Sequence, residues 1–168
     1  LVRFLQKGLT GRFKAILLNT TLSAANVQKN GVRVTFQNQN EKPQTQLFER
    51  VLVAVGRRPA TAGLGLEKAG VAVDENGFVK IDARCRTTAE KIFAIGDVAP
   101  GPMLAHKASR EGKVAAEVIS GQPAAMDDRA VPAVVFTDPE MAWTGITEQE
   151  AQQQGVAVKV GRFPLSAL

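Results

Sequence analysis

The stretch IFAIGDVAPGPMLAHKASREGKVAAEVI, residues 92–119, constrains the fold more than any other part of the chain. A short apolar strand, Ile92–Ile95, runs into Gly96 and Asp97. A Pro/Gly loop follows, then a helix expected from about Met103 to Ser120 and closed by Gly121. A strand that delivers a carboxylate at its C-terminal end and leads into a helix is a unit from which α/β sheets build ligand crevices. The first amides of such a helix have no partners within it and carry partial positive charge. Asp97 and the helix start are therefore expected to face one crevice, the carboxylate suited to sugar-type hydroxyls and the helix start to an acceptor that gains negative charge. Leu104, Ala108, Ala115 and Ile119 form the expected apolar side of the helix. Ala105, Ala108 and Gly112 are small enough to let its backbone approach a neighbour. An ordinary strand–loop–helix in which Asp97 caps a turn has the same local spacing, because helix starts are generic anion sites. Both readings stay open on local pattern alone.

Upstream, Val2–Phe13 reads as a helix weakened by Gly8 and Gly11, and a short apolar run follows at Ala15–Leu18. Leu22–Gln28 and Val32–Gln37 flank Asn30–Gly31, a strong hairpin signal, and Gln46–Phe48 is expected to join the same antiparallel ribbon. The run VLVAV, Val51–Val55, is apolar at every position. It predicts a strand covered on both faces, as in a parallel sheet, stopping at Gly56. LGLEKAG reads as one or two helical turns, Phe78–Ile81 as a strand, and Gly121–Arg129 as a linker. Val134–Thr137 and Met141–Gly145 read as strands, Glu148–Gln154 as a helix capped by Thr147, and Val156–Phe163 as a further strand. GLGLEKAG holds a GxG but lacks the third glycine and the preceding strand of a dinucleotide fingerprint.

Composition closes off several classes. The chain has 168 residues with 45% hydrophobic and 22% charged, the balance of a globular protein. No apolar run reaches the roughly 18 residues of a membrane span, and the basic N-terminal stretch lacks a signal-peptide core; a cytoplasmic location and no membrane partner are expected. The net charge of +5 comes from scattered residues without an aromatic stacking platform, so no nucleic-acid partner is expected. A single cysteine, Cys85, rules out an internal disulfide and a cysteine-based zinc site, and no metal is expected. Its neighbours Arg84 and Arg86 point to an exposed position. The DARCR and GRRP runs, with Arg57 and Arg58, are either anion-binding or simply solvated charge.

AIGDVAPGPMLAHKASREG resembles the second FAD-binding segment of the flavoprotein disulfide reductases, and its MLAHKA…EG portion is similar to the dihydrolipoamide dehydrogenases in particular. VLVAVGRRP resembles that family's exit strand from the NAD domain, RTTAEKIFAIGD its approach to the flavin, and VPAVVFTDPEMAWTGITEQEA the start of its dimerisation domain. The four motifs follow one another in family order along nearly the whole chain.

The resemblance implies an α/β fold made of partial Rossmann-like FAD- and NAD(P)-binding domains with an antiparallel β ribbon, then the start of an α+β dimerisation domain. The implied divisions are residues 1–57, 58–129 and 130–168. Asp97, after Gly96, would hydrogen-bond a ribityl hydroxyl of FAD. Met103, Leu104, Ala105 and His106 would bring the helix start to the flavin's N1–O2 edge. Gly56, with Ala54, Val55 and Arg57, would lie where NAD crosses towards the flavin, although a turn residue at positive φ is the plain alternative for Gly56. Leu22 would meet the adenine end of NAD through backbone. The family's catalytic groups are a CxxxxC pair and a C-terminal His…Glu pair, and no catalytic residue is expected in this chain. His106 and Cys85 are not expected to fill those roles. The chain begins with Leu1 and is expected to be a piece of a longer protein that supplies cofactor-holding segments and is inactive alone. The implied parent is a homodimer that oxidises dihydrolipoamide with NAD through FAD and a redox disulfide, and serves 2-oxo acid dehydrogenase complex components carrying lipoyl groups. Two alternatives stand beside it: a related flavin reductase of glutathione, mercuric or CoA-disulfide type, and a noncatalytic cofactor-binding fragment.

Overall fold

The computed structural model describes residues 2–39, 41–127 and 130–164. Positions 128–129 of the expected linker and 165–168 of the expected dimerisation segment lie outside the described residues. The chain separates into two compact units, Leu1–Gly56 with Phe136–Glu140, and Arg57–Val135 with Met141–Leu168.

In the first unit, helix α1 (Val2–Leu9) is followed by strands β1 (Thr20–Gln28), β2 (Gly31–Asn38) and β3 (Gln44–Phe48). The helix is shorter than its pattern predicts and buries no residue; Gly8 and Gly11 bracket its end, where glycine costs about 1 kcal/mol relative to alanine. The strands form one antiparallel sheet in the order β1-β2-β3. Gln28 pairs Gly31 and Leu22 pairs Phe36, with an irregularity between Leu22 and Ala24. The hairpin stands where Asn30–Gly31 placed it. Gly31 has φ 142°, and a Cβ there would lie 2.3 Å from the Phe48 carbonyl oxygen, so β3 closes over a position only glycine can fill. Val34 is buried at the sheet centre, and Phe36 meets Phe48 edge-on at 5.8 Å between ring centroids. Residues 136–140 belong to this unit: Asp138 pairs with Arg12, and Pro139 lies against Gly8.

The apolar run 51–55 departs from its reading. It forms no strand, and every residue is exposed, Leu52 and Val55 at 92%. A covered parallel strand takes its burial and its hydrogen bonds from neighbours on both edges. Among the described residues none pairs with it. The same reason removes the strand expected at 156–163, which is irregular over its described length. Ala15–Leu18 is irregular as well.

The second unit is held mainly by turns. A 3-10 turn spans Leu66–Ala69, where LGLEKAG predicted helical turns, and another spans Gly96–Val98. The strands expected at Phe78–Ile81 and Ile92–Ile95 shrink to single bridges, Val73 to Val79 and Arg86 to Phe93. Helix α2 spans Ala105–Ile119, with Gly121 at φ 84° just past its end. Strands β4 (Ala133–Val135) and β5 (Met141–Trp143) pair antiparallel, both shorter than expected. Helix α3 (Glu148–Gln153) begins at the expected cap: Thr147 Oγ1 accepts from the Glu150 amide, and Glu150 reaches back to the Thr147 amide.

Two small cores carry this unit. Val71, Val79 and Ala94 pack with Leu66, Ile81, Ala89 and Val98. Cys85, Val114 and Ala115 pack with Phe93, Val118, Ala124 and Met126. The second core corrects two readings. Cys85 is 0% exposed, not a surface residue. The Asp82 carboxylate accepts from the amides of Arg84 and Arg86 and from the Arg86 side chain, building a tight turn that leaves both arginines outside and turns the cysteine between them inward. The described part of the expected linker is also no free connection, since Met126 donates its amide to the Ala83 carbonyl at 2.7 Å and packs beside Cys85.

Candidate functional site

Ile95 is extended, and the chain then turns at Gly96, φ 74°, into the short 3-10 turn that carries Asp97. Gly96 is buried against α2: a Cβ there would come 3.2 Å from the Ala108 Cβ, while one at Gly112 would meet Ile95 Cδ1 at 3.4 Å. The small residues read from the sequence thus allow the turn to lie directly on the helix. The Asp97 side chain points to solvent, 53% exposed, with an Arg57 guanidinium nitrogen 3.6 Å from one carboxylate oxygen. At that exposure the pair contributes little stability. The Asp97 carboxylate thus stays accessible at the surface.

The helix meets this turn with an open end. Leu104 is the N-cap residue, and no side chain hydrogen-bonds the first turn. The amides of Ala105, His106 and Lys107 have no carbonyl partner within the helix by geometry. Ala105 and His106 are exposed, and Met103 and Leu104 are half-buried. His106 also reaches along the second unit, its Nε2 lying 2.6 Å from the Pro132 carbonyl oxygen.

The buried side of α2 differs from the expected Leu104, Ala108, Ala115 and Ile119. Lys107, Glu111, Val114 and Ala115 are buried, whereas Ile119 is exposed. Lys107 and Glu111 are each 3% exposed and pair at 2.8 Å. Burial of charge is tolerated when the charges are paired and their remaining hydrogen-bonding capacity is met, and here it is met by the turn. The Gly96 amide donates to Glu111 Oε2 at 2.6 Å, and Lys107 Nζ donates to the carbonyls of Gly96 at 3.3 Å and Pro100 at 3.2 Å. Hydrophobic periodicity does not find these two residues. Their i,i+4 spacing on a helix was the available signal.

Of the residues singled out from sequence, the structure brings Arg57, Gly96, Asp97 and the start of α2 into one unit. Leu22 sits in β1 opposite Phe36, and Ala54, Val55 and Gly56 lie in the exposed stretch of the first unit. Gly56 has φ 117° with open space where a Cβ would stand, which fits a turn glycine and a cofactor-approach glycine equally. A cleft of about 640 Å³ runs from Pro100–Pro102 past Lys107 to Trp143, Ile146 and Glu150, and none of the expected cofactor residues lines it. The described residues hold no cluster of metal-ligating side chains. No helix among them is long and apolar enough to cross a membrane.

The sequence pattern of the pyridine nucleotide-disulphide oxidoreductases matches residues 4–112, and that of the family's dimerisation domain matches residues 131–168. A dihydrolipoyl dehydrogenase of Geobacillus stearothermophilus is 46% identical over 97% of the chain, and one of Halobacterium salinarum is 53% identical over 82%. Among solved structures, LpdA from Mycobacterium tuberculosis superposes with a TM-score of 0.79 at 28% identity over 92% of the chain. The HOCl-induced flavoprotein disulfide reductase RclA from Escherichia coli superposes with a TM-score of 0.74 at 32% identity over 90%. The chain spans about a third of the length of these proteins: 34% and 29% of the two dehydrogenases, 33% of LpdA and 34% of RclA.

Proposed function

The chain belongs to the pyridine nucleotide-disulphide oxidoreductase family, and from that premise we propose that it is the cofactor-holding middle and later part of a dihydrolipoyl dehydrogenase. The observation that carries the reading is the pairing of an exposed Asp97 carboxylate with the uncapped start of α2, two groups chemically matched to a flavin nucleotide. In this reading residues 1–57 are the late part of an NAD-binding domain, 58–129 the second part of an FAD-binding domain, and 130–168 the start of a dimerisation domain.

Asp97 accepts a hydrogen bond from a ribityl hydroxyl, and the close contact of Gly96 with Ala108 fixes where that carboxylate stands. The open amides at Ala105 and His106, with Met103 and Leu104 beside them, supply partial positive charge that favours negative charge on a reduced isoalloxazine. Arg57 neutralises Asp97 in part; in the NAD-binding part, Ala54, Val55 and Gly56 would take the close approach of NAD, and Leu22 would offer backbone to its adenine end. FAD, when bound, supplies the electron relay between a substrate-reduced disulfide and NAD; the disulfide and the acid–base residues come from parts of the parent outside this chain. The parent is a homodimer through the segment matched by the dimerisation pattern, acts in the cytoplasm, and oxidises dihydrolipoamide groups carried by 2-oxo acid dehydrogenase complexes.

The test uses the full-length parent. Purified protein should carry flavin absorbing near ~450 nm and should reduce NAD with dihydrolipoamide. Asp97→Ala should lower the ratio of flavin to protein without loss of fold, because the carboxylate has a single weak ion pair to lose. Absence of turnover with dihydrolipoamide rejects the substrate, and unchanged flavin retention in Asp97→Ala rejects the site. The likeness to RclA favours a second reading, a flavoprotein disulfide reductase with another substrate; turnover with other disulfides but not with dihydrolipoamide would select it.

A further inference from the structure

Among the described residues of this unit, Lys107 and Glu111 are the charged residues whose side chains are enclosed almost completely, each 3% exposed. Their bonds run in one direction, to the turn. Glu111 divides its carboxylate between Lys107 Nζ on one oxygen and the Gly96 amide on the other, at 2.8 and 2.6 Å. Lys107 spends its remaining donors on the Gly96 and Pro100 carbonyls, at 3.3 and 3.2 Å. The backbone amide and carbonyl of Gly96 are therefore both held from the helix, one residue before Asp97. The loop's far side is held at Pro100, five residues before the helix begins.

Stability alone does not require such a pair. A buried ion pair replaced by apolar residues of similar volume is often neutral or stabilising, whereas a fixed polar network specifies one arrangement. We propose that Lys107 and Glu111 are positioning residues, a buried charged clamp that sets the placement of the Asp97 carboxylate relative to the open amides of α2 and thereby tunes how tightly the flavin is held and how readily it is reduced. The proposal rests on the flavin reading above. The clamp touches no cofactor itself; it acts through Gly96.

The experiment compares three full-length holoproteins: wild type, Glu111→Gln, and the double variant Lys107→Met with Glu111→Leu. The double variant removes both charges at near-constant volume and leaves no buried charge unpaired, so thermal unfolding should fall only by what the freed Gly96 and Pro100 backbone groups cost. The Gly96 and Pro100 bonds are nevertheless gone, and the flavin dissociation constant should rise about tenfold or more, the loss expected for a hydrogen bond to a charged group. The flavin midpoint potential should move to a more negative value, because the helix start no longer faces the reduced ring in register. Glu111→Gln keeps one acceptor and should fall between the two. A purely structural pair predicts lowered stability with wild-type flavin affinity and potential in the folded double variant; that result, or wild-type flavin properties in Glu111→Gln, overturns the proposal. Wild-type parent that binds no flavin instead overturns the reading beneath it.

Discussion

Replacing Gly96 by alanine tests whether the turn lies on the helix as closely as the structure places it. Two costs are separable. The backbone at φ 74° is in the left-handed region, where an L-residue other than glycine costs about 1–2 kcal/mol. The new methyl group would also stand 3.2 Å from the Ala108 Cβ, and relieving that overlap in a packed site adds about 1 kcal/mol. Rotation of the two peptides flanking Gly96 is opposed as well, because the amide of the first is engaged by Glu111 and the carbonyl of the second by Lys107. Gly96→Ala should therefore destabilise the parent by about 2–3 kcal/mol in denaturant unfolding. Ala108→Gly alone should cost about 1 kcal/mol through helix propensity. In the double variant the clash is gone but the backbone cost remains, so its loss should be about 1 kcal/mol smaller than the sum of the single losses. A Gly96→Ala protein within about 0.5 kcal/mol of wild type, inside the range of ordinary surface changes, would refute both parts of the argument. A coupling of zero would refute the close approach alone.

Two further outcomes follow from local chemistry. Thr147→Ala removes the reciprocal cap of α3 and should cost about 1 kcal/mol, seen as faster hydrogen exchange across residues 148–153. The Thr147 hydroxyl and amide hold the Glu150 carboxyl below its usual value, so the cap's support is present above the unfolded value and fades as pH falls through the lowered one; an NMR titration of Glu150 in the variant should move upward. At Asp82 desolvation is the largest single influence and opposes ionisation, but the Arg86 side chain and the amides of Arg86 and Arg84 together outweigh it and hold the carboxyl below its ordinary value. Its contribution should likewise be intact above the unfolded value and lost on acidification through the folded value, and Asp82→Asn should flatten that part of the acid-unfolding curve, while an unchanged curve would count against the turn as a stabiliser.

The elements whose cause is local were readable from sequence. The Asn30–Gly31 hairpin, the Thr147 cap and the α2 region with its trailing Gly121 depend on turn chemistry and helix termini within a few residues, and the structure has all three. The apolar run 51–55 failed because its reading assumed neighbours, and composition cannot say whether they are present. Cys85 failed because the flanking arginines dominated the reading, while the Asp82 turn that decides which way the cysteine faces is a hydrogen-bonding effect. The helix face was read only in part, with Ala115 buried and Leu104 and Ala108 half-buried as expected, but Ile119 exposed and Lys107 and Glu111 missed, for a related reason. Periodicity counts apolar residues, and this face is buried through two opposite charges and two loop carbonyls. At the candidate site, Asp97 and the open helix start were legible; the pair that holds them together was not.

The exposed apolar stretch at 51–55 has a consequence for how such a polypeptide must be handled in solution. Five consecutive exposed aliphatic residues form the kind of segment that recruits a second chain into intermolecular β pairing. Arg50 on one side and Arg57–Arg58 on the other act as charged gatekeepers that repel a like copy. Raising ionic strength shortens the range of that repulsion. Added salt is then expected to promote self-association of this chain, a rise that light scattering across a salt series would read.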